Sequence, residues 1–588
     1  MKKLLELISE EMSAAFKAAG FDADLGTVGV SNRPDLCEFQ CNGAMAGAKR
    51  YKCAPIEIAN KVAENLADSK VFSEVSAVMP GFLNLKLKEE YLVEFLKEMA
   101  SSDAFGVNKV SEDNNIVVDY GGPNVAKPLH VGHLRSAVIG EAVKRLCKYV
   151  GYNAIGDIHL GDWGLQMGLV IYELSRRMPD LPYFDDSFEG EYPQSAPFTV
   201  TDLEEIYPFA SGQSKENPEY KAAAMEATLK LQNGQRGYRA LWNHIMDVSV
   251  SDMKRNYERL NVHFELWNGE STVQDIIPGM VQDMKDKGIA YLSEGAWVID
   301  VKEETDTKEM PPCIVIKSDG ASLYNTTDLA TIKDRMAKYS PFRIIILTDK
   351  RQDLYFEQVF RAARKSGLAN DDVELIHIGF GTVNGPDGHA FKTRDGGVMR
   401  LESLIDEIES RTYERIQESR TMTEEEASRI SKMIALSAIK YGDLSNQASK
   451  DYIFDFDKFT SFEGDTGPYI LYTIVRIKSI LAKVAEDGMK VEEAQLTGCY
   501  SEVEKALMLK LSGFNAMIEN AFNDVAPHKI CAYIYDLANA FNKFYHETKI
   551  ASEEDSVKKG NWVALLNLTK GILEDSIDIL GFSAPEKM

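Results

Sequence analysis

At 588 residues the chain is too long for one hydrophobic core, and its 44% apolar composition describes about three or four globular domains rather than a disordered polymer. A formal charge of −25 lowers the expectation of a nucleic-acid partner, yet charge is an average and leaves room for a local basic groove. No run of about eighteen apolar residues exists to span a membrane, and Glu6, Glu10 and Glu11 break the apolar start that a secretory leader would need. The seven cysteines are scattered, and the nearest pair, Cys37 and Cys41, lacks zinc-site spacing, so a cytoplasmic protein with reduced thiols is expected.

Leu4, Leu5, Ile8, Met12, Ala15, Phe16 and Ala19 predict an amphipathic helix over residues 1–20. Pro80-Gly81 introduces an alternating strand, a helix follows over 89–100, and a loop around 106–115 closes a small α+β domain, 1–108. Beyond it the pattern alternates: strand 116–120, helix 134–150, strand 154–160, helix from 165, then apolar runs at 342–347 and 373–379 flanking a helix from 353. That alternation predicts a parallel β-α-β domain, 109–400. Residues 180–260 interrupt it with a polar, acidic stretch to 218 and a long helical stretch; this insertion reads equally as a cover over a site, a partner contact or a solvated excursion. From 401 the strands disappear. A helical connecting region, 401–462, leads to an all-α bundle, 463–588, with helices expected at 469–485, 502–521, 529–547 and 562–580.

The densest chemistry lies at 123–133, PNVAKPLHVGH, between a strand and a helix. His130 and His133 stand three apart where the helix begins, so both imidazoles can project to one side beside free backbone N–H groups and the positive end of the helix dipole. Gly132 allows close approach of a nucleotide. His130, His133 and His159 are three of the chain's nine histidines. Gly121, Gly122, Asn124 and Lys127 precede the pair at the carboxyl edge of a sheet, where α/β proteins bind ligands. The alternative is a helix start with incidental histidines.

Further along stand HLGDWGLQMG at 159–168, LYNTTDLA at 323–330, TDKRQDLYFEQVF at 348–360 and FGTVNGPDGHAFKTRDGGVMRL at 380–401, then IKYGDLS at 439–445, FEGDTGPYILYTIVRIKSI at 462–480 and YIYDLANAFNKFYHE at 533–547. With PNVAKPLHVGHLRS at 123–136 this ordered set resembles the arginyl-tRNA synthetases, class I aminoacyl-tRNA synthetases of bacterial type. The resemblance implies an α/β fold with a Rossmann-type parallel-sheet catalytic domain, an N-terminal domain that contacts the tRNA corner and a C-terminal helical domain that reads the anticodon. It implies activation of L-arginine by ATP, then transfer to the 3′ end of tRNA(Arg), the first step requiring bound tRNA. Mg²⁺ would accompany ATP without a dedicated protein metal site. A monomer with no membrane partner is expected.

Residue by residue, the resemblance and the chemistry point the same way. A guanidinium pocket needs carboxylates and aligned acceptors, which nominates Asp328, with Tyr324 one helical turn earlier; the resemblance implies that Gln352 and Asp119 lie near the substrate, and Asn124 can hydrogen-bond the polar head of the amino acid. At Asp119 and Asn124 a turn-closing role is the alternative. Lys127, His130, Gly132 and His133 fall to the ATP phosphates. The class's Lys-Met-Ser-Lys signature is absent; Phe391-Lys392-Thr393-Arg394 stands there, among Gly385, Gly388, Gly396 and Gly397, and makes Lys392 and Arg394 catalytic candidates below Lys127. Gly121 and Gly122 replace small hydroxylated residues. Asp162, Trp163 and Gln166 are expected to shape the site wall, packing being the alternative for Trp163. Tyr469, Tyr472 and Arg476, with Lys478, combine aromatic and positive groups suited to unpaired bases, or simply to a core. Two rivals remain: a synthetase-like tRNA binder without catalysis, and a nucleotidyltransferase sharing the His-x-Gly-His turn.

Overall fold

In the computed structural model, residues 1–110, 114–385, 387–389, 391, 399–419 and 422–588 are described. They divide into two units, 1–109 with 469–578 and 583–588, and 110–468 with 579–582.

The first unit opens with α1 (Leu4–Ala18), which buries Leu4, Ile8, Met12, Ala15 and Phe16 as their spacing requires. Strands β1 (Val28–Val30), β2 (Phe39–Cys41), β3 (Phe72–Val78) and β4 (Phe82–Leu87) form an antiparallel sheet in the order β1-β2-β4-β3. Alternation places Leu83, Leu85 and Leu87 in the core. Helices α2 (Gly43–Tyr51), α3 (Pro55–Glu64) and α4 (Glu89–Ser101) complete the module.

The second unit contains β5 (Asn115–Asp119), α5 (Leu134–Tyr149), β6 (Asn153–Asp157) and α6 (Leu165–Arg177), and then the insertion helices α7 (Val200–Glu216), α8 (Pro218–Gln232) and α9 (Arg236–Arg259). After α10 (Ile277–Asp286) come β7 (Tyr291–Ser293), β8 (Ala296–Ile299), β9 (Cys313–Ile316), α11 (Tyr324–Tyr339), β10 (Arg343–Asp349), α12 (Asp353–Lys365), β11 (Glu374–Phe380) and β12 (Val383–Asn384). The region after 400 adds α13 (Leu401–Ser419), α14 (Glu424–Leu444), β13 (Tyr452–Ile453) and α15 (Phe456–Phe459). The main sheet is wholly parallel, ordered β11-β10-β5-β6, with Ile116, Val117, Val118 and Ile344 to Ile346 buried. Strand order reverses between β5 and β10, so a crevice opens at their carboxyl ends, the usual ligand position in such sheets.

Three departures from the sequence reading have physical causes. The polar insertion holds a full helix, α7, despite Pro208, because Thr199 and Asp202 cap its start reciprocally. The antiparallel sheet β7-β8-β9 was not anticipated; strands of three or four residues carry little periodic signal. The region read as free of strands after 401 contains β13, a two-residue parallel partner of β12.

The bundle consists of α16 (Gly467–Glu486), α17 (Glu502–Leu511), α18 (Phe514–Asn523), α19 (His528–Glu547) and α20 (Ser556–Ile579). The single helix expected over 502–521 is two, parted at Ser512-Gly513. From Tyr469 the bundle belongs to the first unit, where Lys505 pairs with Glu38 at 2.5 Å and donates to the Leu87 carbonyl at 2.9 Å. No helix among the described residues is long and apolar enough to cross a membrane.

Candidate active site

The chain leaves β5 through Gly121 (φ +93°) and Gly122 (φ +35°), backbone conformations that L side chains rarely adopt. The Gly121 N–H donates to Ser136 Oγ on α5 at 2.8 Å. Residues 123–125 then run beside Gly161, with Gly161 N–H on the Pro123 carbonyl at 3.1 Å and Val125 N–H on the Gly161 carbonyl at 3.0 Å. A Cβ on Gly161 would stand 2.2 Å from Asn124 Oδ1, so glycine there permits the exposed position that Asn124 takes.

His130 and His133 pack with ring centroids 4.0 Å apart. Their Nδ1 atoms each accept a backbone N–H: His130 from Gly132 at 3.0 Å, His133 from His130 at 3.1 Å. Burial, then repulsion from His130 when it is protonated and from the Lys127 ammonium, push His133 down to about 3; burial and Lys127 lower His130 too. Both rings are therefore neutral near pH 7, with the proton on Nε2, and present N–H donors without carrying charge. The expected free N–H groups at this helix start are engaged: Val131 donates to the Met399 carbonyl at 3.0 Å and His133 to the His130 carbonyl at 2.8 Å. The groups left to face a ligand at this turn are side chains. Gly132 serves the fold of His130, since a Cβ there would meet its Nδ1 at 2.8 Å. Lys127 is half-buried, its ammonium 4.3 Å from the centroid of Tyr207 on α7.

On the other side of the crevice, Asp328 is half-buried on α11 and accepts the Tyr355 hydroxyl from α12. Tyr324, expected to share its work, stands 72% exposed as the first residue of α11, and the phenol bonded to Asp328 is Tyr355. Burial holds Asp328 above the usual carboxylate value, with Asp119 adding to the effect. Glu270, also half-buried, is raised to about 7, mainly by burial and further by Asp162 and Asp328, while His159 acts in the opposite sense. Among the described residues no cation pairs with Glu270. Asp119 and Asp157 are register partners at the ends of β5 and β6, and buried Arg335 bridges them through Nη2 at 2.6 and 2.9 Å. Asp119 is thus brought beside Asp328 with its own charge engaged. Gln352 lies exposed in the turn joining β10 to α12.

The proposed wall residues brace rather than line. Asp162 accepts the Ser271 N–H at 2.9 Å and its hydroxyl at 2.5 Å, which holds the turn carrying Glu270. Trp163 is buried edge-on to Trp242 at 5.6 Å, under the Arg239 guanidinium at 4.4 Å. Gln166 donates to the Gly161 carbonyl. Lys392 and Arg394 lie outside the described residues, but Leu401 N–H after them bonds the Leu129 carbonyl at 2.9 Å. In the first unit, Tyr469, Tyr472 and Arg476 do come together. Arg476 lies 4.7 Å over the Tyr472 ring and, through Asn542, joins the Tyr469 hydroxyl. Lys478 instead pairs with Glu574 and Glu586. Sequence reasoning missed Glu270, Tyr355 and Arg335 and left His159 without a role. Tyr355 lies inside a quoted segment; Glu270 and Arg335 carry no motif signal.

A parallel sheet whose switch point holds a His-x-Gly-His turn is the architecture of class I aminoacyl-tRNA synthetases. A family model described as "tRNA synthetases class I (R), catalytic domain" matches residues 96–456. The models "Arginyl tRNA synthetase N terminal domain" and "DALR anticodon binding domain" match 2–87 and 470–588. An arginine–tRNA ligase of Agathobacter rectalis is 60% identical and one of Alkaliphilus oremlandii 52%, each alignment covering 100% of both chains. The chain belongs to the arginyl-tRNA synthetase family. A crystal structure of arginyl-tRNA synthetase from Plasmodium falciparum superposes with a TM-score of 0.82 at 24% identity over 100% of both chains, a likeness of fold.

Proposed function

We infer that this chain is an arginine–tRNA ligase. In the first step the arginine carboxylate attacks the α-phosphorus of ATP, forming arginyl-adenylate and expelling pyrophosphate. In the second, a hydroxyl of the terminal ribose of tRNA(Arg) attacks the adenylate carbonyl and AMP leaves. The observation that carries this reading is the pairing of two unlike subsites at one switch point. Asp328 and Glu270 form an acidic pair, both raised mainly by burial, Asp328 further by Asp119 and Glu270 further by Asp162 and Asp328, which a guanidinium would neutralise. The Nε2–H donors of His130 and His133, with the Lys127 ammonium, suit the charge that develops on the phosphates, and no side-chain nucleophile is needed. Asn124, Tyr324, Gln352 and Asp119 are assigned to arginine. Mg²⁺ bound with ATP would neutralise phosphate charge, held mainly by the phosphates and water.

The Tyr469, Tyr472 and Arg476 group is the proposed stacking and phosphate-holding face for tRNA, and the N-terminal domain, 1–108, the contact for its corner. A cytoplasmic monomer is proposed. The test is aminoacylation of unfractionated bacterial tRNA with each amino acid separately, and pyrophosphate exchange with arginine with and without tRNA. Charging with arginine alone, and exchange only when tRNA is present, are expected. Binding of tRNA with no charging by any amino acid would overturn the enzymatic reading.

A further inference from the structure

The insertion at 180–260 has no assigned role, and its helix α7 reaches the catalytic turn at two points. Tyr207 lies over the Lys127 ammonium, with 4.3 Å between nitrogen and ring centroid, and is close enough to Tyr324 to add to the effect of burial and of Glu270 in raising its phenol. One turn earlier on the same helix, Glu204 pairs with Arg400. Arg400 in turn sits in an antiparallel bridge with His130. The ring of Tyr207 is not free to wander, because it packs with Tyr172 against a small core of Leu169, Ala210, Tyr220 and Ala224. Among the described residues no carboxylate pairs with Lys127.

We propose that Tyr207 is a positioning residue for the activation step, holding the Lys127 ammonium beside the two imidazoles through its π face. This rests on the reading of Lys127 as a phosphate contact. A carboxylate in the same place would neutralise the lysine and compete with phosphate; a ring face orients the ammonium and leaves its charge available. It also settles in advance the rotamer freedom that a long lysine stem would otherwise lose when ATP binds. The insertion is thereby part of the catalytic site, acting through Lys127.

The test uses the full chain in arginine- and tRNA-dependent pyrophosphate exchange, with thermal unfolding recorded for each variant. Tyr207→Phe keeps the π face and should retain wild-type turnover. Tyr207→Leu should lower turnover by about 2- to 30-fold, the span that a cation–π contact of about 0.5–2 kcal/mol converts to. In a Lys127→Met background the same Tyr207→Leu change should add nothing. If Tyr207→Leu does not fold, fluorinated phenylalanines at 207 weaken the ring's negative face at nearly constant shape, and turnover should fall with each added fluorine. Equal losses in Tyr207→Phe and Tyr207→Leu, multiplicative losses in the double variant, or indifference to fluorination would overturn the proposal. Full exchange by Lys127→Met alone would instead refute the phosphate role of Lys127 and remove the basis of the proposal with it.

Discussion

Replacing Glu270 by Gln probes the acidic pocket where it is most sensitive to protons. Burial, with the charges of Asp162 and Asp328, holds this carboxyl at about 7 before substrate arrives. A guanidinium favours the ionised form, so the folded, arginine-bound state has the lower value and binding expels a proton. Arginine affinity should therefore rise with pH through 7 and level off above it. Below 7 it should fall by up to about tenfold per unit until the lower, bound-state value is reached. At pH 7 a group half-ionised in the free protein releases about half a proton per arginine bound. Calorimetric titration with L-arginine at pH 6, 7 and 8, in two buffers of different protonation enthalpy, measures that release directly. Glu270→Gln should flatten the pH dependence and remove most of the release. It should also weaken binding at pH 8 by about ten- to a hundredfold, the scale of a lost charge-assisted hydrogen bond. His133 cannot mimic the effect, since burial holds it at about 3, and burial with Lys127 lowers His130 from the ordinary imidazole value. Unchanged proton release in the Gln variant, or none in the wild type, would refute the reasoning.

Asp328→Ala removes one of the two carboxylates proposed to face the guanidinium, a loss of about 3–5 kcal/mol; steady-state assays should show the arginine KM rising by orders of magnitude with the ATP KM little changed. An unchanged arginine KM would remove Asp328 from the pocket. For His133→Ala, single-turnover adenylate formation should slow by about a hundredfold, as for loss of one preorganised donor, while arginine binding by calorimetry stays near wild type. Arg335→Met abandons Asp119 and Asp157 as adjacent buried carboxylates, and urea unfolding should show a loss of about 3–5 kcal/mol. Asp157→Asn added to it should restore part of that loss, and strict additivity would deny the bridge.

The order of elements was legible because burial writes itself into local patterns. Apolar runs gave β5 and β10, helical spacing gave α1 and α5, and glycines at 121 and 122 marked a turn that needs positive φ. The candidate turn at 127–133 was legible too, since its chemistry is contiguous in the chain. What hydrogen-bonds within it was not: sequence suggests open N–H groups at a helix start, whereas Met399, from beyond the 391–398 segment, takes one of them.

Sequence alone determined the fold class, the family and the position of the His-x-Gly-His turn, because each is written in periodicity or in neighbouring residues. Tertiary structure alone decided how the charges are matched. Glu270 lies 58 positions before Asp328, and Arg335, two turns along the same helix, spends its charge on Asp119 and Asp157. Tyr355 bonds Asp328 from the next helix, and Tyr207 from a polar insertion covers Lys127. Electrostatic partnership depends on distance and burial in space, and no local pattern in the chain encodes either.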